Sequence, residues 1–319
     1  MSFRPLIGLG HPVLQTILGS KLPSWCPEPK THTGYVTLPD GDRLTVEIST
    51  PTGWQADHKT VVMLHGLGGS HRATYLTRLT HKLVSRNLQV VRVNFRGCGS
   101  GEGLARGIYH AGRSDDIVAV LKTLRQRHPQ SSITLLGFSL GGNIALKLAG
   151  ELKDTAPDYL QKVIAISPPI DLSRCADLIA EKRNRLFRRY YMKRLAKTIA
   201  QRHQHFPEFG PAPVFKDEYG FRELDNLYTS QQAGFADARD YYQKCSVLPL
   251  LNSITVPCKL LFAADDPFVD CSVIRSDSLP THIEMKVTAK GGHMGFLAMP
   301  WSKSGIRWMD YQIIKWLGV

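Results

Sequence analysis

Gly137-Phe138-Ser139-Leu140-Gly141 follows the pattern Gly-x-Ser-x-Gly. Nucleophilic acyl chemistry needs a serine on a sharp strand-to-helix turn, its hydroxyl clear of the sheet; the glycines leave room for that turn, and the helix start favours developing negative charge. The pattern is short, so its weight comes from its surroundings. The apolar run Ile133–Leu136 ends just before it and a helical pattern opens just after it. A glycine-rich helix start with an idle serine is the bland alternative. His65-Gly66-Leu67-Gly68-Gly69 follows a second apolar run, Thr60–Leu64. There the backbone N–H groups of Leu67 and Leu140 can converge on an oxyanion; the competing reading is a plain glycine turn. His65 reads as a structural histidine orienting this loop. The chain has 12 histidines, most of which serve surface or packing, but His293 in Gly291-Gly292-His293 lies after the last apolar strand, in the order Ser, Asp, His. It is the expected general base and then general acid. For the carboxylate that would fix its tautomer, Ala264-Asp265-Asp266-Pro267 offers Asp266, just before a proline-led turn. Asp265, capping that turn or solvated, and Asp171, after an earlier strand, are the alternatives.

These groups meet only if the chain delivers them to one edge of a sheet. Gly34–Ser49 reads as two short strands around the turn Pro39-Asp40-Gly41-Asp42. From Thr60 strands and helices alternate. The strands are Thr60–Leu64, Val90–Asn94, Ser132–Gly137 and Val163–Ser167, and the helices Thr74–Asn87, Asp115–His128 and Gly141–Leu152. Alternation of this kind predicts an α/β fold: a mainly parallel sheet covered by helices on both faces, with an antiparallel start. The rhythm breaks after Ser167 and resumes at Lys259–Ala263, Met285–Thr288 and a last helix at Trp308–Trp316. A simple crossover needs about a dozen residues, so most of this gap is an insertion. The expectation is one domain over residues 1–319 with a cap at about 170–250.

Apolar residues make up 43% and charged residues 21% of the 319, which excludes a disordered chain, a collagen-like fibre and a disulfide-rich scaffold. The six cysteines form no Cys-x-x-Cys pair and no zinc spacing, and chemistry by a serine, a histidine and a carboxylate needs neither metal nor organic cofactor. Arg96-Gly97-Cys98-Gly99-Ser100-Gly101-Glu102-Gly103 fails as a phosphate loop, because its glycines recur every second residue and no lysine follows. It reads as a flexible loop beside the oxyanion site. The segment Met1–Trp25 lacks the apolar core and cleavage site of a signal peptide, and a cytoplasmic location is expected, peripheral at the membrane if the charge is used there.

Lys plus Arg is 40 against 27 Asp plus Glu, a formal +13. Much of the excess falls in the insertion: Lys182, Arg183, Arg185, Arg188, Arg189, Lys193, Arg194, Lys197 and Arg202 interleave with Leu186, Phe187, Tyr190, Leu195 and Ile199 at roughly helical spacing. A solvated cap helix with its apolar face on the body is the plain reading; contact with an anionic membrane surface, or steering of acidic substrates, is the functional one. No nucleic-acid reader motif accompanies the charge. Twelve of the 23 Phe and Tyr residues lie between Phe187 and Tyr242, enough to pack a small cap core and line an apolar acyl pocket above Ser139.

Taken together these segments resemble the YheT-like α/β-hydrolases, a group that includes embryogenesis-associated and lipid-active α/β-hydrolase-domain proteins. The resemblance runs over nearly the whole chain: His11-Pro12-Val13-Leu14-Gln15-Thr16, His65 to Ser70, Asn94-Phe95-Arg96-Gly97-Cys98, Tyr109-His110-Ala111-Gly112, Gly137 to Asn143, Asp265-Asp266-Pro267-Phe268 and Gly292-His293. It implies the α/β-hydrolase fold and a hydrolase of carboxylic (acyl) esters with Ser139, Asp266 and His293 as its triad. Acyl transfer to an alcohol, or ligand binding on a retired scaffold, are the alternative functions. The basic cap departs from the group's pattern.

Overall fold

Every residue of the strand Thr60–Leu64 is buried, because this strand is covered on both faces. Val62 and Leu64 enter one core, and Val61 and Met63 the other. That is why a parallel-sheet strand reads as an unbroken apolar run. The computed structural model describes residues 3–22 and 26–319. Met1, Ser2, Pro23, Ser24 and Trp25, at the two ends of the segment assessed for a signal peptide, lie outside them.

Among the described residues eight strands form one sheet in the order β1-β2-β4-β3-β5-β6-β7-β8. They are β1 (His32–Thr37), β2 (Arg43–Ser49), β3 (Thr60–Leu64), β4 (Gln89–Asn94), β5 (Ile133–Phe138), β6 (Leu160–Ile166), β7 (Cys258–Ala263) and β8 (Ile283–Thr288). β2 runs antiparallel to β1 and β4, and all other pairings are parallel. The helices are α1 (Pro12–Lys21), α2 (Thr74–Val84), α3 (Ser114–Arg127) and α4 (Leu140–Leu152), then α5 to α9 between β6 and β7, and α10 (Trp308–Leu317). α3 and α4 pack on one face through Ile117, Leu121, Ile144 and Leu148. α2 and α10 pack on the other through Leu76, Leu79, Ile313 and Trp316. The α/β reading of the sequence holds.

Three local differences have physical causes. α2 stops at Val84, short of the expected Asn87, because Asn87 takes a left-handed φ of 59° and the Leu88 N–H turns back to the Leu83 carbonyl at 3.1 Å. β6 starts at Leu160, earlier than expected, where an irregularity in its pairing with β5 falls between Ile133 and Thr134. The Arg96–Gly103 segment, expected to be flexible, is pinned by the buried Arg96 guanidinium. It donates to Asp116 at 2.6 and 2.7 Å, to Asp40 at 2.6 Å and to Asp42 at 2.5 Å.

Between β6 and β7 lie α5 (Leu172–Ala180), α6 (Arg185–His205), α7 (Phe221–Leu224), a π-turn at Asp225–Thr229, α8 (Ser230–Ala233) and α9 (Ala238–Cys245). Met192, Ile199, Leu224 and Tyr228 form a small cluster of their own. Phe187, Tyr241, Tyr242 and Cys245 instead join the core on the α3–α4 face, so this segment is tied to the sheet by shared packing.

Candidate active site

β5 ends at Phe138 and α4 starts at Leu140, so the chain reverses at Ser139 within one residue. Ser139 has φ 49° and ψ −121°, a sparsely populated conformation for a residue with a side chain. The flanking glycines are required by contact: a Cβ on Gly137 would sit 2.2 Å from the Gly141 carbonyl oxygen, and one on Gly141 would sit 2.6 Å from the carbonyl oxygens of Leu64 and His65. The serine Oγ is thereby raised above the carboxyl ends of the parallel strands.

His293 lies beyond β8 and faces it. Its Nε2 is 2.9 Å from Ser139 Oγ, and its Nδ1 is 2.8 Å from Asp266 Oδ2. Asp266, after β7, also accepts from the N–H groups of Phe268 at 3.1 Å and Val269 at 3.0 Å. Both acceptances hold the carboxylate toward the imidazole, which leaves Nδ1 carrying the proton and Nε2 free to take one. The Phe268 ring packs on the imidazole with centroids 4.2 Å apart, and both members of the pair are almost fully buried. The two other candidate acids lie elsewhere. Asp265 accepts from the Gly292 N–H at 2.9 Å, and burial raises its carboxyl above the usual range. Asp171 caps α5 by accepting from the Arg174 N–H at 2.9 Å.

Sequence reasoning assigned no role to the segment that holds the histidine loop in place. The His293 N–H donates to Thr16 Oγ1 at 2.8 Å. Gln15, fully buried, accepts from the Leu297 N–H at 2.7 Å and donates to the carbonyls of Leu9 at 2.8 Å and Leu297 at 3.1 Å. α1 and the loop are in backbone contact: a Cβ on Gly292, where φ is +56°, would lie 2.3 Å from the Pro12 carbonyl oxygen, and one on Gly295 2.4 Å from that of Gln15. The only signal in the sequence was the family-like segment His11 to Thr16.

Leu67 and Leu140 both line the cavity beside Ser139. As the first residue of α4, Leu140 has an N–H with no acceptor inside the helix. The Gly66–Gly68 loop is braced from three sides. Tyr75 Oη accepts from the Gly66 N–H at 2.9 Å and Tyr109 Oη from the Gly68 N–H at 3.0 Å, while Arg194 of α6 donates to the Gly68 carbonyl from Nε at 3.0 Å and from Nη2. His65 beneath it is fully buried. The Phe95 N–H donates to its Nε2 at 3.3 Å, so Nδ1 carries the proton and donates to the Gly66 carbonyl at 2.8 Å. Burial lowers its pKa to about 4, so it stays neutral as a strut of the loop.

The cavity above Ser139 has a volume of about 170 Å³. Leu172, Ala176, Ile179, Leu195, Ile199 and Phe268 give it apolar walls, drawn mainly from α5 and α6. Asp225 and His110 line it too, with Arg96, Glu102, Arg202 and His205 among its other titratable residues. Burial raises Asp225 to about 6 against the hydrogen bond it accepts from Tyr242 Oη at 2.6 Å. Burial lowers His110 to about 3. The Cys98 thiol is buried and pushed up to about 12.

Residues 59–300 match the family model described as the alpha/beta hydrolase fold. The chain belongs to the α/β-hydrolase family. Escherichia coli YheT is 33% identical over 99% of this chain and 92% of its own length. Two Saccharomyces cerevisiae proteins are more distant. A monoacylglycerol lipase is 28% identical over 81% of this chain, and a medium-chain fatty acid ethyl ester synthase/esterase is 27% identical over 76% of it; the alignments cover 59% of each yeast protein. Among solved structures, the Pyrococcus furiosus esterase Pf2001 superposes with a TM-score of 0.57 at 20% identity, covering 100% of this chain and 96% of that one. As an α/β hydrolase of the YheT-like group, the chain has esterase- and lipase-named relatives. Among the described residues no helix is long and apolar enough to cross a membrane.

Proposed function

We propose that this α/β hydrolase cleaves carboxylic (acyl) esters through an acyl-enzyme on Ser139. His293 Nε2 takes the Ser139 proton as Oγ attacks the ester carbonyl. The N–H groups of Leu67 and Leu140 hold the oxyanion. Collapse expels the alcohol, which takes the proton back from His293; water, activated by the same imidazole, then releases the acid. Asp266 keeps the imidazole in the required tautomer and stabilises its charged form. No step calls on a metal or organic cofactor. The observation that carries this reading is the Ser139–His293–Asp266 relay, at 2.9 and 2.8 Å, under an apolar cavity. The acyl-ester substrates named for the yeast relatives support it.

The test is hydrolysis of aryl esters graded by acyl length, wild type against Ser139→Ala. The variant should lose about 10⁴- to 10⁶-fold in kcat, by analogy with loss of a serine nucleophile elsewhere. Retention of most activity would remove the proposal. Acyl transfer to an alcohol is the second reading, favoured by the synthase/esterase name of one relative. With ethanol added, ester product in excess over free acid identifies transfer, and acid alone identifies hydrolysis.

A further inference from the structure

α6 is a helix of 21 residues, Arg185–His205, with seven arginines and lysines and no acidic residue. Its inward side is ordinary. Phe187, Met192 and Ile199 are buried, and Tyr191, Leu195 and Ile199 line the cavity above Ser139. Its outward side is not. Arg185, Arg189, Lys193 and Lys197 follow one another at four-residue steps and are all exposed, which sets them in one stripe along the helix. Leu186 and Tyr190 run beside that stripe, 70% and 46% exposed.

Like charges at this spacing repel one another, and the fold supplies no relief. Among the described residues neither these four side chains nor Lys182 forms an ion pair. Other cap-side arginines do find carboxylates: Arg222 pairs with Asp177 and Arg174 with Asp270. A stripe of unneutralised cations beside exposed apolar side chains fits a surface that carries negative charge at one depth and hydrocarbon just beneath it. A polynucleotide would satisfy the cations but gives Leu186 no apolar partner.

We propose that the outward face of α6 docks on an anionic lipid bilayer, with Leu186 and Tyr190 entering its interfacial region. One helix would then meet the lipid on one side and wall the cavity on the other. The inference does not depend on turnover at Ser139.

The experiment is flotation of the full chain with vesicles of phosphatidylcholine alone and of phosphatidylcholine mixed with phosphatidylglycerol. Binding is expected only to the mixed vesicles. It should be lost when salt is raised from about 0.1 M to about 1 M, which shortens the screening length from about 10 Å to about 3 Å. The combined variant Arg185→Gln, Arg189→Gln, Lys193→Gln, Lys197→Gln should bind mixed vesicles more than about tenfold more weakly, with an unchanged thermal midpoint as the folding control. Leu186→Ser should weaken binding less and leave it salt-sensitive. Absence of wild-type binding, undiminished binding by the combined variant, or displacement from mixed vesicles by a random polynucleotide would each overturn the proposal. Covalent labelling of Ser139 by a fluorophosphonate, measured on the same samples, reports separately on the hydrolytic site. Labelled protein that no longer floats, or floating protein that is not labelled, tells the two readings apart.

Discussion

Near the site, hydrogen-bond partners decide which histidine can act. His65 and His110 are lowered by burial to about 4 and about 3, so both stay neutral from about pH 5 to about pH 9. His293 alone is hydrogen-bonded to both a serine hydroxyl and a carboxylate. It must be neutral to accept the serine proton. Asp225 lines the cavity and is raised by burial to about 6. An acid limb in kcat/KM for a neutral ester that disappears in Asp225→Asn would belong to this cavity carboxyl, and one that persists would not. Arg194 acts through the loop. Its guanidinium holds the Gly68 carbonyl, so Arg194→Ala should lower kcat with little change in KM, by less than the about 100-fold cost of removing an oxyanion donor outright. Arg194→Lys should recover part of the loss, and an equal rise in KM would instead place Arg194 in substrate binding. The serine and histidine could be read from the sequence because their neighbours are fixed by backbone sterics. Arg194 could not, because its contact with Gly68 joins positions 126 residues apart.

Elements were legible where burial follows chain periodicity. β3 and β4 are buried at every residue, and α3 buries Ile117, Val120, Leu121 and Leu124 at helical spacing, so pattern alone places them. α1 escaped for the opposite reason. Gln15 is its only buried residue, while Leu14 and Ile17 face outward at 42% and 36% exposure. Hydrogen bonds and glycine contacts hold it, and these leave no apolar stripe. Gln15→Ala should therefore cost more than an ordinary helix substitution. It strands the Leu297 N–H and two carbonyls in a buried setting, a loss of about 2–3 kcal/mol readable from denaturant unfolding. Because the same contacts hold the loop of His293, kcat should fall with it. Full stability and activity in Gln15→Ala would mean that α1 is not what positions the histidine. The segment between β6 and β7 resisted reading because its aromatics divide between a local cluster and the main core, a split that no sequence period encodes.

On the scale of the whole molecule, buried ion pairs tie distant segments together. Asp310 of α10 is fully buried and accepts from Arg78 of α2 at 2.6 and 2.9 Å and from Lys82 at 2.7 Å. Burial alone would raise its pKa, but the two cations outweigh that and hold it below the usual carboxylate value. A depressed folded-state pKa contributes stability that is complete above the unfolded value, near about 3.9, and is lost as pH falls through the folded one. Asp310→Ala should destabilise the fold by about 3–5 kcal/mol at neutral pH, because Arg78 is left buried and unpaired. It should also flatten the acid side of the stability–pH curve below about pH 4. A loss under about 1 kcal/mol would show that the pair merely balances its own desolvation. Class and layering were legible at this scale, because strand and helix alternate from β3 to β6. The pairing of α2 with α10 was not, because it depends on which two helices share a sheet face.

The proposed hydrolysis requires the fold to make Ser139 a nucleophile with His293 as its base. The most direct measurement is labelling of the folded chain with a fluorophosphonate, followed by mapping of the modified peptide. One label is expected, on Ser139, abolished in Ser139→Ala and in His293→Ala, with both variants as thermally stable as wild type to within about 1 kcal/mol. An unlabelled wild type, a label on another residue, or undiminished labelling of His293→Ala would contradict it.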